Sequence, residues 1–124
     1  MLYIENDVIN ITRGDDAFFY VPIMLPGRNK AALGKDDYLI FAVKAAPDAA
    51  EETVLEIVGE KGKNRIRFRH ADTADLNPGF YSAEIQLVLA DGQRVTLWPK
   101  LTGNKRVSAD NWKNFCVMRE VVTK

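Results

Sequence analysis

Among its 124 residues the chain has one cysteine, Cys116, and one histidine, His70. A single cysteine excludes an intramolecular disulfide and a zinc site closed by cysteines. It lies in the apolar run Phe115-Cys116-Val117-Met118, where it reads as a small packing residue. A lone histidine leaves little for nucleophilic chemistry: any Ser/His/Asp or Cys/His arrangement would have to use His70, and nothing in the sequence places a serine or Cys116 beside it. No apolar run approaches the length of a membrane span, and Met1–Asp7 has neither the basic nor the apolar region of a signal peptide. The expectation is a protein made in a reducing cytoplasm, not exported by a signal peptide, with no membrane partner. Net charge is also absent, with 17 Lys+Arg against 17 Asp+Glu. The distribution is uneven: residues 1–62 carry 6 basic against 11 acidic groups, residues 63–91 carry 4 against 4, and residues 92–124 carry 7 against 2. Such a split either vanishes when the ends interleave in space or favours head-to-tail contact between copies.

What is present is β-structure. Helical periodicity is nearly missing, and short apolar-alternating runs cover Val8–Thr12, Ala17–Leu25, Asp37–Lys44, Thr53–Val58, Asn64–Arg69, Phe80–Leu89, Arg94–Leu101 and Asn114–Val122. Turn chemistry separates them at Arg13-Gly14-Asp15, Pro26–Asn29, Gly34–Asp36, Gly59–Lys63, Pro78-Gly79 and Asp91-Gly92. Hydrophobic content of 47% with no linker and no repeat is enough for one domain, 1–124, with its own core. The pattern predicts an all-β, immunoglobulin-like antiparallel sandwich of about seven to nine strands with at most one short helical turn, centred near Pro47–Glu52 or Asp72–Asn77.

Residues 71–92 carry most of this information. Asp72 and Thr73 are suited to capping a short helical turn that ends at Asn77-Pro78-Gly79. Tyr81, Ala83, Ile85, Leu87 and Leu89 then alternate with Ser82, Glu84 and Gln86. Asp91-Gly92 predicts a hairpin through a type I′ turn. A tyrosine two residues after Gly79, opening a long strand, matches the tyrosine corner of Greek-key sandwiches.

The run Ala17–Leu25 is apolar on both faces: Phe19, Val21, Ile23 and Leu25 on one, Phe18, Tyr20, Pro22 and Met24 on the other. A strand of that kind is covered or meets a partner, and Pro22, with no N–H to donate, favours an edge. Phe18, Tyr20 and Met24 are therefore interface candidates. Trp112 joins them: it sits in the long polar loop Thr102–Asn114, either as a binding anchor or folded back over the end of the sandwich.

Other motifs carry less. Asp15-Asp16 and Asp36-Asp37 are adjacent acids that point apart in extended chain, so neither pair makes a catalytic dyad alone. A calcium site from loop aspartates is conceivable, but no EF-hand, phosphate-loop or dinucleotide pattern occurs, and no metal or cofactor is expected. Arg65, Arg67 and Arg69 alternate with Ile66 and Phe68 as a basic stripe; zero net charge and the lack of exposed aromatics interleaved with it count against nucleic acid and favour a solvated face paired with glutamates. Arg13-Gly14-Asp15 is the tripeptide of cell adhesion, yet it falls where one strand must turn into the next, so Gly14 reads as a turn or bulge residue.

Three segments in order carry a family resemblance: Ile11-Thr12-Arg13-Gly14-Asp15; Asp37-Tyr38-Leu39-Ile40-Phe41-Ala42-Val43-Lys44; and Asp72-Thr73, Leu76, Gly79-Phe80-Tyr81 and Ile85-Gln86-Leu87 followed by Asp91-Gly92. From about Ile9 to Thr123 the chain resembles the N-terminal domain of phage baseplate upper proteins of Gram-positive siphophages and prophages. That resemblance implies an immunoglobulin-like sandwich acting as a non-enzymatic virion part, with other baseplate subunits or copies of itself as partners and no catalytic residues. The chain departs from the family by stopping at the domain's end, by its apolar outer row Phe18, Tyr20, Pro22 and Met24, and by the length of the Thr102–Asn114 loop. The alternative reading is a small carbohydrate- or ligand-binding sandwich that stacks sugar rings on Trp98, Trp112 and Tyr20.

Overall fold

A left-handed pair of residues opens the fold. Asn6 and Asp7 have φ of 52° and 61°, the geometry of a type I′ turn, and join β1 (Leu2–Glu5) to β2 (Val8–Thr12) with Glu5 opposite Val8. The computed structural model describes residues 1–23, 33–46, 52–99 and 113–120. The remaining elements are β3 (Ala17–Tyr20), β4 (Tyr38–Lys44), β5 (Thr53–Val58), β6 (Arg65–Phe68), α1 (His70–Ala74), β7 (Gly79–Val88), β8 (Arg94–Trp98) and β9 (Phe115–Met118). The fold is all-β and sandwich-like, with one helix, of 5 residues, among the described residues.

Seven strands form one sheet in the order β1-β2-β9-β7-β4-β5, with β8 also on β7; β3 and β6 pair antiparallel as a second, two-stranded sheet. The large sheet is not purely antiparallel, because β2 and β9 run parallel. Sequence spacing cannot reveal this: the two strands lie at opposite ends of the chain and no hairpin links them.

Strand alternation decides what is buried. β4 reads half-buried and buried in strict alternation, so Leu39, Phe41 and Val43 face the core with no exposure. Phe41 and Phe115 project from the large sheet and meet Phe19 and Phe68 from the small one. Phe41 stands edge-on to Phe68 and Phe115, each with centroids 5.4 Å apart, while Phe68 and Phe115 stack at 5.8 Å. Edge-on and offset contacts suit the ring quadrupoles, so this cluster locks the sheets in one register.

β7 is the spine. One edge pairs with β4 over Ser82–Val88. Its other edge is shared, taking β9 at Gly79–Tyr81 and β8 from Ile85 onward. The gap at Ala83 is closed by a side chain. Asn114, just before β9, accepts the Ala83 N–H on Oδ1 at 2.6 Å and donates from Nδ2 to the Ala83 carbonyl at 2.9 Å. Its amide thus stands in for a missing strand residue, which explains why a polar side chain only 6% exposed is tolerated there.

The turn between β2 and β3 is clipped to α1. The Gly14 N–H donates to Thr73 Oγ1 at 2.7 Å, His70 Nδ1 donates to the Gly14 carbonyl at 2.8 Å, and the His70 N–H donates to Asp16 Oδ1 at 3.0 Å. Gly14 has φ of 80°, and a Cβ there would lie 3.1 Å from His70 Nδ1, so both conformation and space call for glycine. Thr73 is fully buried and serves this clip rather than capping its own helix. Asp72 does cap, from inside the first turn: its carboxylate accepts the Arg69 N–H at 2.7 Å. Tyr81 forms the expected corner, its hydroxyl donating to the Asn77 carbonyl at 2.5 Å, and burial pushes the phenol pKa up.

The β7–β8 hairpin forms with a different turn from the one expected. Leu89 and Gln93 bracket three residues, the Gly92 N–H donates to the Leu89 carbonyl at 2.8 Å, and of the loop residues only Gly92 has positive φ, at 90°. This is the three-residue pattern ending in a left-handed glycine, with the Asp91 carboxylate accepting the Gln93 N–H at 2.9 Å. Gly79, with φ of 146°, is the entry to β7.

Candidate functional site

The small sheet presents its inner residues to the core and its outer residues to solvent. Ile66 and Phe68 of β6 are fully buried, and Phe19 of β3 packs on them. Alternation then forces Phe18, Tyr20, Arg65 and Arg67 onto the opposite face. Antiparallel register places Phe18 across from Arg67 and Tyr20 across from Arg65. Phe18 is 52% and Tyr20 63% exposed, values that mark these rings as uncovered rather than grazed by solvent. The rings meet edge to face at 5.6 Å, and the Arg65 guanidinium lies 5.7 Å over the Phe18 centroid. The patch is thus aromatic and cationic together, and its side chains are ordered by one another.

One premise of the sequence reading is overturned here. Reading β6 alone, no exposed aromatic interleaves with the arginines, since Phe68 turns into the core; pairing with β3 inserts two. The expected glutamate partners exist only in part, with Arg65 3.7 Å from Glu60 and Arg67 without an ion pair among the described residues.

Two hollows flank this face. A cavity of about 260 Å³ lies on the β3 side, with Tyr20 and Trp98 at its wall beside Ile4, Phe19, Val21 and Leu97. A groove of about 290 Å³ runs on the other side between β5 and β6, where Lys63, Arg65, Arg67 and Arg69 face Glu56 and Glu60.

The interface candidates Phe18 and Tyr20 are therefore brought together. Met24, Trp112 and the turns and loops at Pro26–Asn29, 47–51 and 102–112 lie outside the described residues. Gly14, Asp72, Thr73, Gly79, Tyr81, Asp91 and Gly92 occupy the turns and the corner described above. Sequence reasoning missed Ile4, which the unrecognised β1 brings to the cavity, although Asn6-Asp7 between apolar residues is a legible left-handed turn signal.

The groups considered for chemistry are engaged elsewhere. His70 holds Gly14. Asp15 pairs with the N-terminal amine, and Arg13 with Glu120, so the Arg-Gly-Asp tripeptide is spent on the turn. Asp37 accepts the N–H groups of Gly34 at 2.8 Å and Ala90 at 2.9 Å. Cys116 is half-buried and burial pushes its thiol pKa up, the opposite of an activated thiolate. Among the described residues no group of three or more His, Cys, Asp or Glu side chains is placed to hold a metal ion, and no helix is long and apolar enough to cross a membrane. No protein-family model, no curated protein and no solved structure matches the chain.

Proposed function

We propose that this chain is a non-enzymatic structural subunit of a phage or prophage tail baseplate, resident in the virion, that assembles with itself or a neighbouring subunit through the outer face of β3 and β6. The observation that carries the proposal is the exposed pair Phe18 and Tyr20 set against Arg65 and Arg67. Aromatic residues and arginine are the types enriched at protein interfaces, where a desolvated ring supplies area and a guanidinium supplies directed bonds. The ordered resemblance of Ile11–Asp15, Asp37–Lys44 and Asp72–Gly92 to baseplate upper proteins supports a baseplate as the assembly. The test is the solution mass by light scattering after size exclusion, at low and high salt, for the native chain and for Phe18→Ser with Tyr20→Ser. A salt-resistant oligomer that falls to a single chain of 14.0 kDa in the double variant is expected. Unchanged mass and solubility in the variant would remove this face from the proposal.

The second reading is a ligand-binding module, favoured by the cavity that joins Tyr20 to Trp98. Among the described residues its other side chains are aliphatic or aromatic hydrocarbon, poor in the hydrogen-bonding groups that sugar hydroxyls require, so it ranks below assembly. Titration with Gram-positive cell-wall polysaccharide separates the two: saturable binding lost in Trp98→Ala would promote the module.

A further inference from the structure

The groove between β5 and β6 combines a free strand edge with unsatisfied positive charge. β5 hydrogen-bonds only to β4 and β6 only to β3, so each strand has one unpaired edge among the described residues. Phase along β5 follows from one bond: the Gly59 N–H donates to the Leu39 carbonyl at 2.7 Å. Antiparallel pairs alternate, so Ile57 and Leu55 also bond to β4, and Glu56 and Val58 turn their N–H and C=O groups outward, up to the register shift that leaves Val54 without a partner on β4. Val54 and Val58 are exposed. Open edges of this kind template another strand unless something covers or repels it.

The charge beside the edge has a matching period. Arg65, Arg67 and Arg69 recur every second residue, about 6.8 Å apart at a strand rise of roughly 3.4 Å. Arg67 and Arg69 are exposed and make no side-chain ion pair among the described residues, whereas Arg65 is held by Glu60 and Phe18. Asp72, another acid at the groove, is occupied with the Arg69 N–H. Among the described residues Lys63, Arg67 and Arg69 are thus the groove cations without an ion pair, and Glu56 is the acid left to oppose them.

We propose that this groove binds an extended acidic segment of a partner protein, which adds to the β5 edge and sets carboxylates at alternate positions against Arg67 and Arg69. The proposal rests on the assembly reading above and names the chemistry of the partner. One feature favours peptide over single-stranded nucleic acid: the free N–H and C=O groups of β5 match a peptide backbone. Glu56 and Glu60 line the same groove and repel any anion, so the carboxylates of the segment must fall on the β6 side, against Arg67 and Arg69.

The test uses the full chain and a labelled peptide of alternating Thr and Glu, read by fluorescence anisotropy and by amide shifts. Expected are saturable, salt-sensitive binding, shifts at Glu56 and Val58, and weakening of about tenfold in Arg67→Glu with Arg69→Gln. A peptide N-methylated at alternate residues should lose binding, because its backbone donors are gone. Arg67→Gln alone, which removes one solvent-facing charge, guards against misfolding of the double variant. No saturation up to about 1 mM peptide would overturn the proposal, as would equal binding by the arginine variants. Tighter binding of oligothymidylate would move the groove to nucleic acid. Self-association abolished by the same variants would place a second copy in it instead. Peptide binding is read separately from the mass of the Phe18→Ser, Tyr20→Ser variant, so either reading can fail while the other stands.

Discussion

Replacing Asn114 by Ala should cost more stability than any other single polar substitution on the large sheet. The amide supplies both partners of Ala83, a residue only 3% exposed in the middle of β7. Truncation leaves one N–H and one C=O of Ala83 buried and unpaired. Each orphaned group costs about 1–3 kcal/mol, less where water can enter the vacated space. The sum is about 2–4 kcal/mol, or roughly 6–15 °C in Tm for a domain of this size. The backbone bonds of Asn114 itself, from its N–H to the Tyr81 carbonyl and from Ile9 to its own carbonyl, do not depend on the side chain and persist. Loss should therefore be focused on the junction where β9 and β8 share an edge. Urea denaturation gives the total, and amide hydrogen exchange gives the place: Ala83 should exchange faster relative to Phe41 and Ile85 beyond the global change. Asn114→Leu, which fills the volume without hydrogen bonds, should not rescue. A loss under about 0.5 kcal/mol, or Ala83 protection that falls only in step with its neighbours, would refute the argument that this side chain completes the ladder.

Thr73→Val keeps the shape of the buried residue but removes the acceptor for Gly14, and should cost about 1–3 kcal/mol in urea denaturation. Gly14→Ala should destabilise by a similar amount, because φ of 80° and His70 both resist a Cβ. Tyr81→Phe should cost about 1 kcal/mol. The native Tyr81 pKa is raised above 10.0 by burial, so its contribution is complete below that pH and is lost as pH rises through the higher native value. The variant should accordingly flatten the alkaline arm of Tm against pH. Glu120 is held below the usual glutamate pKa, first by its hydrogen bond from Arg13. Its contribution is present above the ordinary value of 4.5 and fades as pH falls through the lower native one. Glu120→Gln should remove that part of the acid-side decline, with only a small change at neutral pH since the pair is solvent-screened.

Much of the fold was legible because local chemistry and global pattern agree. Val8–Thr12 and Thr53–Val58 are strands at the bounds that alternation predicts, and Tyr81 closes its corner. The misses share a cause. Leu2–Glu5 alternates too briefly to be distinguished from an exposed terminus, and only its pairing with β2 makes it a strand. The parallel β2–β9 pair and the Asn114 bridge to Ala83 join residues far apart in the chain, and no local propensity encodes such distance. Asp91-Gly92 carries the chemistry of more than one hairpin turn, and the length of the loop, set by where Leu89 meets Gln93, decided which one formed.

The candidate surface shows the same division. Exposure of Phe18 and Tyr20 follows from β3 alone: once half-buried Phe19 packs on the core and Val21 is buried, their neighbours must face outward. What they are exposed beside does not follow. The stripe Arg65, Arg67, Arg69 reads as an ordinary solvated face until β6 is laid against β3, after which each ring has an arginine across from it. An apolar patch alone would favour non-specific association, and an arginine stripe alone would favour any polyanion. Under the proposed assembly, the two interleaved would suit a partner that buries rings and neutralises guanidinium groups at a fixed spacing, which is a far narrower requirement. The free edge of β5 adds a third, directional demand that only a backbone can meet. Specific protein assembly satisfies all three at once, and that conjunction, rather than any single residue, is the argument for it.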